Sequence, residues 1–249
     1  MARICYPSIK IPGTSLAGDP TAYWDFCALD TAGQGTQPPV AWTHGAAVTL
    51  DNDGTPECVT PAAYYNQNAA AKSEQASTLY RNGTATWFFV FRQDGAVTVN
   101  TCVACKASPG TTGDSQYGFV LTTNATQVWS HLKAGASTEV GAYRTIAAAN
   151  TIIAAAFSFD ASNFRLSVNG TATGEAATPT GFSVGNYPLV AGNRTDTYWG
   201  IYKGHIMRVA TWQGIAATAA EMNKLTALFA DGCTPGFLQS NAMMFSCNT

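Results

Sequence analysis

Charge is scarce in this sequence. Only 11% of its 249 residues are Asp, Glu, Lys or Arg, against about 25% in an ordinary soluble domain. Thirteen Lys and Arg face fifteen Asp and Glu, for a net charge of −2. No run of basic residues occurs, so the chain lacks the footprint that releases counterions from a phosphate backbone. Nucleic acid is excluded as a partner on that ground. No apolar run reaches the roughly 20 residues that span a bilayer. The greasiest, Thr151 to Phe159, has the length of a strand, so a membrane is not expected as a partner either. The opening residues, MARICYPSIKIPG, hold no apolar stretch of signal-peptide length. The expectation is synthesis in a cytoplasm, without general secretory export.

Catalytic groupings are missing as well. Glycoside hydrolysis needs two carboxylates facing one cleft, yet none of Glu57, Glu74, Glu139, Glu175 and Glu221 has a carboxylate two residues away. None of His44, His131 and His205 has an acidic residue two positions away. No phosphate-cradling glycine loop occurs. The expectation is a protein that is not an enzyme and needs no cofactor, since a domain of this size stabilises itself through its core. Seven cysteines are present: Cys5, Cys27, Cys58, Cys102, Cys105, Cys233 and Cys247. An odd count leaves at least one unpaired in a monomer. Cys102-x-x-Cys105 reads as plain thiols, as disulfide partners or as half of a metal site.

What is present is strand and turn. Thr86-Trp-Phe-Phe-Val-Phe91 is a buried-strand run closed by Asp94-Gly95. Further strands are expected at Ala46 to Leu50, Ala96 to Val103, Gln116 to Thr122, Thr126 to Leu132, Thr151 to Phe159, Phe164 to Val168, Tyr187 to Ala191 and Gly204 to Trp212. Asn169-Gly170 is a two-residue hairpin signal. Thr218-Ala-Ala-Glu221 is a capping box, followed by Met222, Leu225, Leu228 and Phe229 as an apolar stripe, which predicts a helix over 219–230. Thr60-Pro61 predicts the start of a second, short helix. Short, regularly spaced strands predict an all-β, two-sheet antiparallel sandwich with one short C-terminal helix. Proline and glycine density divides the chain into an N-terminal arm with the first strands (1–76), a body (77–232) and a tail (233–249), the arms forming part of one compact domain.

The ordered set of motifs resembles the laminin-G-like, concanavalin-like jelly-roll family over residues 77 to 230. It comprises Ala85-Thr-Trp-Phe-Phe-Val90, Ala155-Ala-Phe-Ser-Phe-Asp160, Phe164-Arg-Leu-Ser-Val-Asn-Gly170, Pro188-Leu-Val-Ala-Gly192, Trp199-Gly200 through Val209, and the capping box. The resemblance implies a two-sheet jelly roll. Because this fold hosts lectins, hydrolases, adhesion modules and virus structural proteins, it implies no single role. It does imply places to look. One is a calcium ion at a sandwich edge, for which Asp51-Asn-Asp53-Gly54 has suitable ligands or is an ordinary Asp-Gly turn. The other is sugar stacking on Trp129, Tyr198 and Trp199, which as plain core aromatics would be buried.

Two roles follow. The first is a non-catalytic virion structural protein, a capsid decoration or cement protein of a tailed phage, made in the host cytoplasm and carried in the virion. Its partners would be the major capsid protein, other virion proteins and copies of itself. Extended termini would supply the contacts through Ile4, Tyr6, Ile9, Ile11, Tyr23 and Trp24 and through Met243, Met244 and Phe245, unless both ends fold back over their own sandwich. The second is a glycan- or receptor-binding module of a tail fibre or a cell-surface protein.

Overall fold

The computed structural model describes residues 9–26, 33, 35–36, 41–53, 62–68, 71–75, 80, 82–107, 117–134, 139–146, 148–173, 175–193 and 200–230. The strands are β1 (Ala22–Asp25), β2 (Trp42–His44), β3 (Val48–Asp51), β4 (Ala62–Asn66), β5 (Ser73–Gln75), β6 (Ala85–Gln93), β7 (Thr101–Ala107) and β8 (Tyr117–Thr123). They continue with β9 (Gln127–Ala134), β10 (Glu139–Thr145), β11 (Ile152–Phe159), β12 (Asn163–Val168), β13 (Thr171–Ala172), β14 (Ala176–Ala177), β15 (Leu189–Ala191) and β16 (Lys203–Gln213). One helix, α1 (Ala219–Leu228), follows β16.

The strands form two antiparallel sheets. The larger runs β13-β12-β11-β6-β16-β4-β3, with β1 also on β16 and β14 also on β12. The smaller runs β10-β9-β8-β7-β15-β5-β2. The chain runs as a meander within the smaller sheet from β7 to β10 and within the larger from β11 to β14, and crosses between the sheets elsewhere, as at β6–β7 and β10–β11. Trp87, Phe89, Phe91, Phe119, Phe157 and Leu166 meet in the core between them. Edge-to-face contacts of Trp24 with Trp42 and of Phe26 with Trp42 (5.8 and 5.1 Å) close one end of that core.

The central strands of the larger sheet are apolar on both faces. Along β6, Trp87, Phe89 and Phe91 point inward while Phe88 and Val90 point outward, and all are fully buried. An outward apolar face must be covered. Helix α1 covers it with Met222, Leu225 and Phe229. The N-terminal segment covers it with Ile9, Ile11, Leu16 and Tyr23. Trp24, one residue on, turns the other way into the sandwich core. Glu221 ties the two covers together. One carboxylate oxygen accepts the Thr218 N–H at 2.8 Å, completing the capping box, and the other accepts the Ser15 N–H at 2.5 Å.

Several expectations are corrected. Residues 62–66 are a strand, not a helix: Tyr65 faces the core and Tyr64 the outer face, and the backbone pairs with β16 and β3. That cross-strand pairing outweighs the local preference set by Thr60-Pro61. The strand expected over 96–103 lies at 101–107, with a bulge after Cys102. The bulge turns both Val103 and Ala104 inward and leaves Cys102 and Cys105 together on the outer face, both buried. Among the predicted assembly residues, Ile9, Ile11, Tyr23 and Trp24 are buried by the chain itself, so this part of the N-terminal segment lies back on its own sandwich. Ile4, Tyr6, Met243, Met244 and Phe245 lie outside the described residues.

The double role of Glu221 sets an expected outcome. Glu221→Ala removes the cap partner and releases Ser15, costing about 1–2 kcal/mol, the usual range for losing a helix cap. Chemical denaturation measures the loss, and limited proteolysis near Ser15 reports the freed segment.

Candidate functional site

The larger sheet is covered outside, and Cys102, Cys105, Val120 and Val190 are buried on the outer face of the smaller sheet, so the half-exposed stretch of that face lies along β9 and β10. On β9, Val128 and Leu132 point into the core, so the alternate residues Gln127, Trp129, His131 and Lys133 point out. On β10, the register places Tyr143 opposite Trp129 and Gly141 opposite His131. The three rings form a ladder. Tyr143 stacks on Trp129 at 4.5 Å between centroids, and Trp129 stacks on His131 at 5.5 Å with planes 8° apart. Tyr143 is 50% exposed, the one exposed large aromatic among the described residues.

Neighbours fix the ladder. Trp129 Nε1 donates to Gln127 Oε1 at 2.9 Å, which holds the indole in one orientation. Opposite His131, a Cβ on Gly141 would lie 3.3 Å from the imidazole Nδ1, so glycine there leaves the ring room to lie over the β10 backbone. The product is a stack of rings running from His131 to the edge strand, in which Trp129 lies against both neighbours and Tyr143 is the half-exposed member. An open ring face of this kind can meet the C–H face of a sugar ring. Together β9 and β10 carry one carboxylate, Glu139, which is half of a glycosidase pair. Of the predicted stacking residues, Trp129 is in this stack, and Tyr198 and Trp199 lie outside the described residues.

A second polar cluster sits on the outer face of the larger sheet. His205 on β16 is fully buried, with Nε2 3.5 Å from Asp51 Oδ2 and Nδ1 3.6 Å from Asp94 Oδ1. These separations exceed hydrogen bonds and become charge contacts when the imidazole is protonated. Arg92 donates to the same Asp94 oxygen from Nε at 2.8 Å and from Nη2 at 2.5 Å. The Tyr64 ring lies against the imidazole, with centroids 4.9 Å apart. Gly204 lets β16 lie close to the end of β6, since a Cβ there would come within 2.1 Å of the Arg92 carbonyl oxygen. The cluster ties the edge strand β3 to the sheet centre. Because the imidazole is sealed, it offers no nucleophile or base to a substrate.

Asp51 is thereby committed. Its Oδ1 accepts the Asp53 N–H at 2.9 Å and its Oδ2 faces His205. The Asp51 and Asp53 pair is an Asx turn, and among the described residues no group of three His, Cys, Asp or Glu is placed to hold a metal ion. Gly181-Phe-Ser-Val-Gly185 spells a nucleophile elbow. Here it lies in a turn between β14 and β15, with Phe182 packed on Phe159 and Val184 in the core, and lacks the strand-to-helix setting such an elbow needs.

The clamp carboxylates titrate low. The Asp53 N–H leads in holding Asp51 below its ordinary range, with attraction from His205 adding to it against some burial. Burial pushes Asp94 up, but its contacts with His205 and Arg92 outweigh this and leave it lowered. A carboxylate lowered by folding contributes stability above its unfolded pKa, near 3.9, and that contribution is lost as pH falls through the folded value. The melting temperature therefore falls as pH is taken below about 4. Asp94→Asn costs about 1.5–3 kcal/mol at neutral pH, the range for hydrogen bonds to charged groups, and flattens the acid slope in a pH series of thermal melts.

No family model matches the chain, and no curated protein matches it in sequence. Solved structures do match. Domain 4 of AbnA, a GH43 extracellular arabinanase from Geobacillus stearothermophilus, in complex with arabinotriose, aligns with a TM-score of 0.62 at 18% identity. The alignment covers 83% of this chain and 98% of that domain. The CBM40 of Ruminococcus gnavus IT-sialidase, bound to α2,3 sialyllactose, aligns with a TM-score of 0.52 at 13% identity, over 74% of this chain and 97% of that one. The binding domain of botulinum neurotoxin serotype G gives 0.63 at 10% identity, over 90% of this chain and 52% of the neurotoxin domain, so this chain spans about half of it. At these identities the likeness is one of fold, and the fold is a concanavalin-like jelly roll.

Proposed function

We propose that this chain is a non-catalytic glycan-binding module whose ligand stacks on the shelf of Tyr143, Trp129 and His131. The observation that carries the reading is the ladder itself: three parallel rings on the outer face of the smaller sheet, ending in a half-exposed tyrosine. A single exposed aromatic needs no partner, but one that ends a stack of rings offers a ready-made apolar face. A sugar is a suitable partner, because its C–H face is apolar and its rim of hydroxyls remains hydrogen-bonded to water. The structural likenesses support this direction. Two of those proteins are described as complexes with arabinotriose and with sialyllactose, and a third is a toxin binding domain.

The capsid-decoration reading draws no support from these likenesses, and the described part of its assembly strip is covered by the chain itself. A catalytic reading lacks a second carboxylate on the shelf.

A glycan array that includes arabinotriose and sialyllactose tests the proposal. Wild type binds at least one sugar. Tyr143→Ala weakens that binding by roughly tenfold or more, equivalent to about 1.4 kcal/mol, with the fold retained by circular dichroism and only the loss of one cross-strand ring pair, about 0.2–1 kcal/mol, in stability. Gln127→Ala weakens it less by loosening the indole. If wild type binds no sugar, or Tyr143→Ala binds as well as wild type, the shelf is not a glycan site.

A further inference from the structure

We infer that two copies of this chain join through the free edge of β10 and fuse their aromatic shelves into one continuous ligand-binding strip. The strip rests on the glycan-binding reading, whereas the joining of copies rests on the edge alone.

Sheet edges are templates for further strands, and proteins blunt them by keeping them short or by placing charge, proline or bulges on them. In the larger sheet the outermost strands are short: β3 and β1 have four residues each, β13 and β14 two each. In the smaller sheet β2 has three. The exception is β10, with seven residues in unbroken register against β9 and no proline or bulge. Among the described residues its other side pairs with no strand. Its neighbourhood is also incompletely buried. Tyr143 is half exposed on the outer side, and Val140, Ile146, Ala176 and Phe182 are partly buried apolar residues packed against the core.

The sequence of β10 suits pairing with itself. Antiparallel joining about a two-fold axis keeps each outer face outward, so residues of like face must oppose one another. Centring the axis on Ala142 sets Gly141 opposite Tyr143 of the second copy, and Tyr143 opposite its Gly141. An aromatic ring over a cross-strand glycine shields exposed backbone on an edge. The same relation already holds inside the chain, where His131 lies opposite Gly141. Val140 then meets Arg144 of the second copy, whose aliphatic stem covers it, and Glu139 meets Thr145. The two tyrosines fall on a diagonal, with roughly 7–8 Å between them. Three rings from each copy thus line up across the junction, and the shelf doubles in length for an extended oligosaccharide.

Thr145 supplies the test, because it is exposed, lies off the ladder and faces Glu139 of the second copy in this register. Like charges directly opposite destabilise a strand pair and opposite charges stabilise it. The mass of the full chain is measured by light scattering after gel filtration, without sugar, for wild type, Thr145→Glu and Thr145→Lys, with circular dichroism to verify folding. Wild type and Thr145→Lys are expected at twice the chain mass, and Thr145→Glu at the chain mass. A monomeric wild type, or the same mass for both variants, overturns the inference. Since no sugar is present, the mass is independent of the glycan array: a dimer that binds no glycan defeats the binding reading alone, and a monomer that binds through Tyr143 defeats the pairing alone.

Discussion

The larger sheet is apolar on both of its faces, and the rest of the molecule answers that constraint. One face is buried by the second sheet, as in any sandwich. The other cannot be left to water, because Phe88, Val90, Met207, Ala210 and Trp212 all lie on it. The chain uses its own N-terminal segment and its one helix as the cover. This explains why Ile9, Ile11 and Tyr23 are buried, and why a single carboxylate, Glu221, closes the helix cap and anchors the segment at once. It also leaves the ring ladder of β9 and β10, on the outer face of the smaller sheet, outside that cover.

Low charge takes on a different meaning in this light. Read from composition alone, a surface with 11% charged residues suggests a protein packed against neighbours. In the structure, part of the charge that exists is gathered into clusters. Arg165 is paired with Glu175 and Asp160, and Arg92, Asp94, Asp51 and His205 form a clamp at the sheet edge. The exposed charge is sparse and partly paired, as in Lys10 with Asp19 and Lys72 with Glu74. An aromatic stack in such surroundings suits a hydroxyl-rich ligand, and a seven-residue edge strand with neither proline nor bulge suits a second copy.

Much of the fold was legible because the signals were local. The run Trp87 to Phe91, the Asn169-Gly170 turn and the capping box each specify their element without help, and all three are found as expected; Asn169 and Gly170 carry the positive φ values of 47° and 80° that the tight turn needs. Tertiary effects hid the rest. The strand β4 looked like a helix start because its partners, β3 and β16, lie far away in sequence. The strand β10 passed unseen because Gly141 and Arg144 interrupt the pattern of apolar alternation. Without β10, Tyr143 had no reason to be placed beside Trp129, although period-two spacing already set Trp129 and His131 on one face. The clamp was missed for a related reason. Local spacing shows only neighbours two residues away, whereas Asp51 reaches His205 from β3 and Asp94 from just past the end of β6.

Hydroxyl-radical footprinting with and without the best-binding array glycan tests most directly whether the outer face of the smaller sheet is the recognition surface. The account predicts that the glycan protects Tyr143 and Trp129 from oxidation and leaves Tyr64, beside the His205 clamp on the larger sheet, unchanged. Protection centred on Tyr64, with Tyr143 oxidised equally in both states, would contradict it.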